Sequence, residues 1–121
     1  MRALDQLIEV QQPQLRIEFN DVLVESIDET ITDLLSRAVV DALYTHLQTN
    51  YSISRNELPC RLDALTTTLQ TVFGVRSSQT ITKAVAKKFY LKLGLQFIDS
   101  PSGTLLEYVD EAKMKLQNSS K

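Results

Sequence analysis

Leu15-Arg16-Ile17-Glu18-Phe19-Asn20-Asp21-Val22-Leu23-Val24-Glu25-Ser26-Ile27 is the stretch on which the fold class turns. Read from its start, Leu15, Ile17 and Phe19 alternate with Arg16 and Glu18, the period of a half-buried strand. Asn20-Asp21 then turns a hairpin into Val22-Leu23-Val24. Read from Asn20 or Asp21, the same stretch opens a helix. An Asn or Asp at the N-cap accepts a hydrogen bond from a free backbone N–H of the first turn. Leu23, Ile27, Ile31, Leu34 and Leu35 then fall on one stripe. The helix is the preferred reading because its spacing continues for several turns; the hairpin stays open as the alternative for residues 15–27.

Upstream, residues 1–14 are Gln-rich and end in Gln-Gln-Pro-Gln. Leu4, Leu7 and Ile8 have helical spacing and Pro13 ends whatever they form, so this part is a short helix or an arm. Downstream, Ser36 can cap a second helix to about Thr49, with Val39, Ala42, Leu43, His46 and Leu47 on one face. Residues 50–58 read as a polar connection with two apolar pegs. Pro59 suits the first turn of a third helix, where its missing N–H costs nothing. Leu62, Leu65, Leu69, Val72 and Phe73 form that helix's stripe. Thr66, Thr67 and Thr68 are poor helix formers, so packing must hold them. Gly74 stands where a left-handed C-cap belongs. A fourth helix is expected from about Ser78 to Leu93, with Ile81, Ala84, Val85, Phe89 and Leu93 inside and Gly94 as terminator. Leu95 to Ile98 read as extended, and residues 99–103 as a turn. Thr104-Leu105-Leu106-Glu107 is a capping box that opens a fifth helix with Leu105, Tyr108, Val109, Ala112 and Leu116 buried.

The fold class is therefore mainly α: a compact bundle of four to five amphipathic helices, with a short hairpin or extended N-terminal segment as the open alternative. Residues 15–117 make one helical domain, 1–14 an arm or short helix, and 118–121 a frayed tail. Composition agrees. Of 121 residues, 43% are hydrophobic, enough for a core, and three glycines and three prolines are too few for an all-β fold. One cysteine, Cys60, forms no internal disulfide, which fits a reducing compartment. Asp5 and Glu9 argue against a signal peptide, and no apolar run reaches the roughly 18 residues of a membrane span. The expectation is a cytoplasmic protein with no membrane contact.

Catalytic chemistry finds little support. His46, the only histidine, falls on the expected apolar face of its helix, with Ala42 and Asn50 four residues away, so the two-ligand helical spacing of a metal site is missing. Cys60 at a helix N-terminus stands where a nucleophilic thiol could be placed, yet nothing local pairs it with His46, and a buried or half-buried cysteine explains it. Asp28-Glu29 and Asp110-Glu111 sit on polar faces. Ser77 and Ser78 begin a helix, where an anion could bind, but simple capping explains them. No cofactor and no metal are expected.

Charge is where the sequence speaks. The net charge is −2, but residues 1–60 hold ten acids against four bases, and residues 61–121 nine bases against five acids. Such halves attract each other, within one chain or between two. Arg76, Lys83, Lys87, Lys88 and Lys92 occur with no acid between Asp63 and Asp99, and two rows of lysines spaced by four run down the fourth helix. With Tyr90 they form the candidate interaction surface. Tyr44, Tyr51, Tyr90 and Tyr108 all fall near stripe edges, where amphipathic tyrosines serve interfaces.

Ala42-Leu43-Tyr44-Thr45-His46-Leu47, Tyr51-Ser52-Ile53, Glu57-Leu58-Pro59, Leu62-Asp63-Ala64-Leu65 and Leu69-Gln70-Thr71-Val72-Phe73-Gly74 resemble the NitrOD5-type family of short helical output domains of archaeal signalling proteins. The helix with Lys87-Lys88-Phe89-Tyr90 extends the likeness, which covers about residues 20–95. The resemblance implies a helical module, a role in signalling or transcriptional regulation, and no catalytic residues to carry over. The expected function is a non-enzymatic regulatory or protein-interaction module that self-associates, as a homodimer, or binds a partner protein. The alternative is a nucleic-acid-binding transcriptional regulator using the lysine-rich fourth helix.

Overall fold

Leu23, Ile27 and Ile31 recur every four residues, and the chain obeys that spacing. Residues 19–34 form a helix, α1, in the computed structural model, which describes residues 19–100 and 103–119, with side chains as far as residue 117. All three are fully buried, each contributing about 1.5–3 kcal/mol by leaving water; the strand alternative, Val22-Leu23-Val24, contains only one of them. Asn20 and Asp21, expected at the cap, lie inside the helix and are exposed. Phe19 is buried, its ring edge-on to Phe89 with centroids 5.1 Å apart. The stripe stops early: Leu34 and Leu35 are exposed where the chain turns toward the next helix. The arm expected over 1–14, the first half of the hairpin, part of the turn after Ser100 and the end of the tail lie outside the described residues.

Ser36 caps α2 (Arg37–Tyr51): its hydroxyl oxygen accepts from the Val39 N–H at 3.2 Å. The buried face is Val40, Leu43 and Leu47; Ala42 and His46, expected there, are exposed. Either stripe can be drawn through Leu43 and Leu47. The helix rolls toward the one containing Val40, which has more apolar surface to bury than alanine or an imidazole. The helix ends at Ser52, the one described residue other than glycine with positive φ (56°). Its N–H donates to the Gln48 carbonyl at 3.1 Å and that of Ile53 to Leu47 at 3.2 Å, a reversal that tucks Ile53 inside.

Both apolar pegs of the following connection, Ile53 and Leu58, are buried. Between them the chain forms a 3₁₀ helix, Arg55–Cys60, opened by the Glu57 carboxylate, which accepts from the Ser54 N–H at 2.8 Å and its hydroxyl at 3.1 Å. Pro59 and Cys60 thus belong to this short helix. The next one begins only at Leu62, because the Arg61 N–H closes the 3₁₀ turn on the Leu58 carbonyl at 2.9 Å.

A single residue, Gly74, separates α3 (Leu62–Phe73) from α4 (Val75–Leu93). Its φ of 90° and ψ of 163° suit glycine alone, and it ends one helix and starts the other, so α4 begins three residues earlier than Ser78. Ser78 is buried in its first turn, its N–H on the Gly74 carbonyl at 3.0 Å. Leu62, Leu65 and Leu69 are buried in α3, Val72 is exposed and Phe73 half-buried at the corner. Thr68 is buried with its hydroxyl unpartnered. Ile81, Val85 and Phe89 form the inner face of α4, widened by Ala86 and Tyr90. Gly94 closes α4 in the left-handed region, with the Leu95 N–H on the Tyr90 carbonyl at 2.9 Å.

Residues 95–100 have no regular structure and return along α4 as a strap. Phe97 packs on Tyr90 with centroids 5.4 Å apart, and Asp99, two residues on, reaches Lys83 at 2.7 Å. The capping box forms as read: the Thr104 N–H reaches Glu107 at 3.0 Å and the Glu107 N–H reaches the Thr104 hydroxyl at 3.2 Å. α5 (Leu105–Ser119) then runs in the same general direction as α4, burying Leu105, Tyr108, Val109 and Ala112 with Leu116 at the edge. α3 packs against α2, α4 and α5, and α4 against α5. The result is a mainly α, compact helical bundle around one apolar core, with no strand among the described residues.

Candidate interaction surface

α4 turns about 100° per residue, so its basic residues leave it on different sides. Lys88 and Lys92 face α1, whose Glu25, Glu29 and Asp33 have the same spacing of four. Lys92 Nζ lies 3.1 Å from Glu29 and 3.4 Å from Glu25; Lys88 Nζ lies 3.1 Å from Asp33 and 3.8 Å from Glu29. The acids ascend as the lysines descend, as helices running in opposite directions require. Lys83 leaves on the other flank, toward the strap. Its hydrogen bond to Asp99 raises the lysine above its ordinary range and, reciprocally, holds the carboxyl below its own. Hydrogen bonding to Glu29 raises Lys92 in the same way.

The attraction between acidic and basic halves is therefore met inside one chain. Of the cations expected on the surface, Arg76 and Lys87 hold no carboxylate in an ion pair among the described residues, although the charge of Lys87 is felt by Asp99. Tyr90 does not belong to the surface at all. It is 1% exposed, its hydroxyl donating to the Tyr108 carbonyl at 2.7 Å, because a position 100° from Phe89 points into the α4–α5 contact. Burial, with Glu111 nearby, pushes its phenol up to about 12. The Tyr108 hydroxyl also turns inward, donating to the Ser100 carbonyl at 3.0 Å and accepting from the Ser100 N–H at 2.9 Å.

Half a turn from its buried stripe, α4 presents Lys87 and, one turn on, Leu91, which is 78% exposed. Ile98 of the strap is 63% exposed. α5 presents Leu106 (49%), Asp110 and Met114 (61%) along its outer side. Asp110 is exposed and in no ion pair among the described residues. The sequence reading sought buried stripes and lysine rows and passed over this face. Its signal was present: Leu91 and Met114 are large apolar residues opposite their own helices' stripes.

Asp28 is the second residue the pattern misplaced. Far from lying on a polar face, it is 9% exposed, accepting from the Tyr44 hydroxyl and from the Arg55 guanidinium, whose Nε is 3.0 Å away. Burial first, then Asp28, raise the Tyr44 phenol well above its usual range, and the hydrogen bond to Asp28 raises Arg55. The triad ties α1, α2 and the 3₁₀ helix together.

His46 and Cys60 do not make a pair. His46 is exposed with the Asn50 amide 2.9 Å from Nδ1, and Cys60 is exposed at the end of the 3₁₀ helix instead of buried. Arg76, Ser77, Gln79, Thr80 and Lys83 line a shallow open depression of about 310 Å³ on α4, all from one helix. Among the described residues no three His, Cys, Asp or Glu side chains are grouped to hold a metal ion, and no helix is long and apolar enough to cross a membrane.

Fold and surface together define a small, mainly α bundle, most of whose charged side chains among the described residues pair with one another. No family model matches the chain, and neither the curated proteins nor the solved structures contain a match to it.

Proposed function

We propose that this chain is a non-enzymatic protein-interaction module of a regulatory kind, which associates with itself through the outer side of α4, the strap and α5. The observation that carries this reading is the exposure of large apolar side chains on three successive elements, Leu91 on α4, Ile98 on the strap, and Leu106 and Met114 on α5. Single exposed apolar residues are ordinary. Four large ones on α4, the strap and α5, with Lys87 and Asp110 exposed on the same two helices, are the kind of surface that an interface covers. The resemblance to helical output domains agrees with a module that works by being bound.

Light scattering on a sizing column, over a range of protein and salt concentrations, tests it. A mass of twice the single chain that persists at about 1 M salt, where exposed charges are screened beyond about 3 Å, is the expected result. A single-chain mass throughout refutes self-association. The rival reading, nucleic-acid binding through α4, has few cations to draw on, since Lys83, Lys88 and Lys92 already hold carboxylates. With Arg76 and Lys87 left, its salt dependence would have a slope of only about −2.

A further inference from the structure

We infer that a second copy of this chain docks on the α4–α5 face as a two-fold dimer in which Lys87 of each copy pairs with the partner's Asp110, and Leu91 packs on the partner's Met114. The inference rests on the proposed self-association and names its geometry.

The argument is one of register and charge. Tyr90 fixes the level of α5 beside α4: its hydroxyl meets the Tyr108 carbonyl at 2.7 Å, and Lys115 Nζ stands 5.6 Å from its ring centroid. Helical side chains lean toward the N-terminus, so the Tyr90 hydroxyl lies roughly one turn back, near the level of Lys87. The carbonyl it meets lies near the level of Asp110. Lys87 and Asp110 are thus side by side on neighbouring helices that run in the same general direction. One turn further on, Leu91 and Met114 are level as well.

A two-fold axis parallel to the helices and lying between them, in the plane of the face, sets α4 of one copy against α5 of the other without changing level. Each Lys87 then meets the partner's Asp110 and each Leu91 the partner's Met114, all four contacts being satisfied by one rotation, as an isologous interface demands. Ile98 of the strap is exposed as well, beside Phe97, which packs on Tyr90 of α4 and Tyr108 of α5. Lys87 and Asp110 are both exposed and in no ion pair among the described residues, while Glu107, on the same stripe of α5 as Met114, accepts from the Thr104 N–H. Leu34 and Leu35, and Val72 and Val75 at the α3–α4 corner, are exposed apolar pairs too, but the acid beside the first pair, Asp33, is already bound to Lys88, and no acid lies between Asp63 and Asp99 to serve the second.

The test uses charge reversal, with the full chain throughout. In Lys87→Glu, two pairs of like charge face each other across the dimer, and the same is true of Asp110→Lys. Each single variant is expected to weaken the dimer by at least about tenfold in dissociation constant, since like charges across an interface cost several kcal/mol. An equimolar mixture of the two variants restores both pairs and is expected to form a heterodimer of near wild-type affinity. The double variant, Lys87→Glu with Asp110→Lys, recovers as well. Both positions are exposed, so circular dichroism and the denaturation midpoint serve as checks of folding. If the wild type dimerises and neither reversal affects it, this face is overturned while self-association stands. If both reversals weaken it and the mixture does not recover, the pairing is overturned. A single-chain mass at every concentration overturns the dimer and the underlying reading together; a different protein bound at this face by such a monomer would overturn the second copy as its occupant.

Discussion

The two flanks of α4 carry similar residues to opposite ends. On the α1 flank, Lys88 and Lys92 stand one turn apart over Phe89 and Val85 and are answered by three carboxylates from the facing helix. On the outer flank, Lys87 and Leu91 stand one turn apart and exposed. The lesson is that a lysine row on a helix is not by itself a binding surface. The neighbour decides whether the row is a seam or a face, and the apolar residue beside each lysine shows which: Phe89 is fully buried and Leu91 is 78% exposed.

The sharpest way to break the seam is therefore apolar. Phe89→Ala removes a fully buried ring that meets Phe19 edge-on. It is expected to lower stability by about 3–5 kcal/mol, read as the shift of the urea midpoint. A loss near that of a surface change would mean that α1 is held by its charges after all.

Next in size is the buried anchor of α1. Asp28→Ala leaves the Tyr44 hydroxyl and the Arg55 guanidinium without their acceptor and is expected to cost about 1–3 kcal/mol. Tyr44→Phe, which removes one neutral donor and leaves Arg55 paired, should cost less, about 0.5–1.5 kcal/mol. Reversal of that order in chemical denaturation would show the tyrosine, not the ion pair, to be the organising member.

These two residues also mark where the sequence ran out. Short-range signals were legible: the Ser36 cap, the Thr104–Glu107 box, the Gly94 terminator and the spacing that made α1 a helix. Each is set by groups within a few residues of one another. Asp28 was misread because its burial depends on Arg55, 27 residues away, and helical spacing alone assigns a carboxylate to the wet side. His46 was misread by one step of helical phase, which only the competition between Val40 and Ala42 for the core decides. The start of α4 was missed because one glycine served two helices. The candidate surface was half legible: the lysines were identified, but which of them had neighbours is a tertiary fact, and the apolar outer face was overlooked because stripes were sought only inward.

The charges of the seam should matter less than either anchor. Replacing Lys88 and Lys92 together by Gln is expected to lower the urea midpoint by less than Asp28→Ala does, since exposed pairs gain little in water. The difference from wild type should shrink as salt rises. A deficit that survives at high salt would assign the lysine stems a packing role in place of a charge role.

The strap responds to pH at both ends. Asp99 is held below its usual range by Lys83, so its contribution is present above the unfolded carboxylate pKa of about 3.9 and is lost as pH falls through the lower folded value. Lys83 is raised by the same bond, so its share persists through neutral pH and is lost as pH rises through the folded value, above that of free lysine. Beneath the strap, Tyr90 is raised to about 12 against about 10 in an unfolded chain. Its contribution is complete below pH 10 and declines from there toward 12. Denaturation midpoints of the wild type and Asp99→Asn are expected to converge at strongly acid pH and to differ modestly at neutral pH. A constant gap down to the acid limit would mean that Asp99 acts through packing.

The smallest effect is expected on the outer flank, where it carries the most meaning. Leu91 contributes little of its surface to the single chain's core, so Leu91→Ser should leave the midpoint of the dilute, dissociated protein within about 0.5 kcal/mol of wild type. At concentrations where the protein associates, the same substitution should lower the apparent stability, because binding partners stabilise the folded state by mass action. The two conditions separate the roles of the residue. A loss already present in the dilute chain would make Leu91 a core residue of the monomer and erase the distinction between the flanks. A loss that grows with concentration would locate its contribution between copies, and α4 would then hold one helix of its own chain on one side and leave the other to a second molecule.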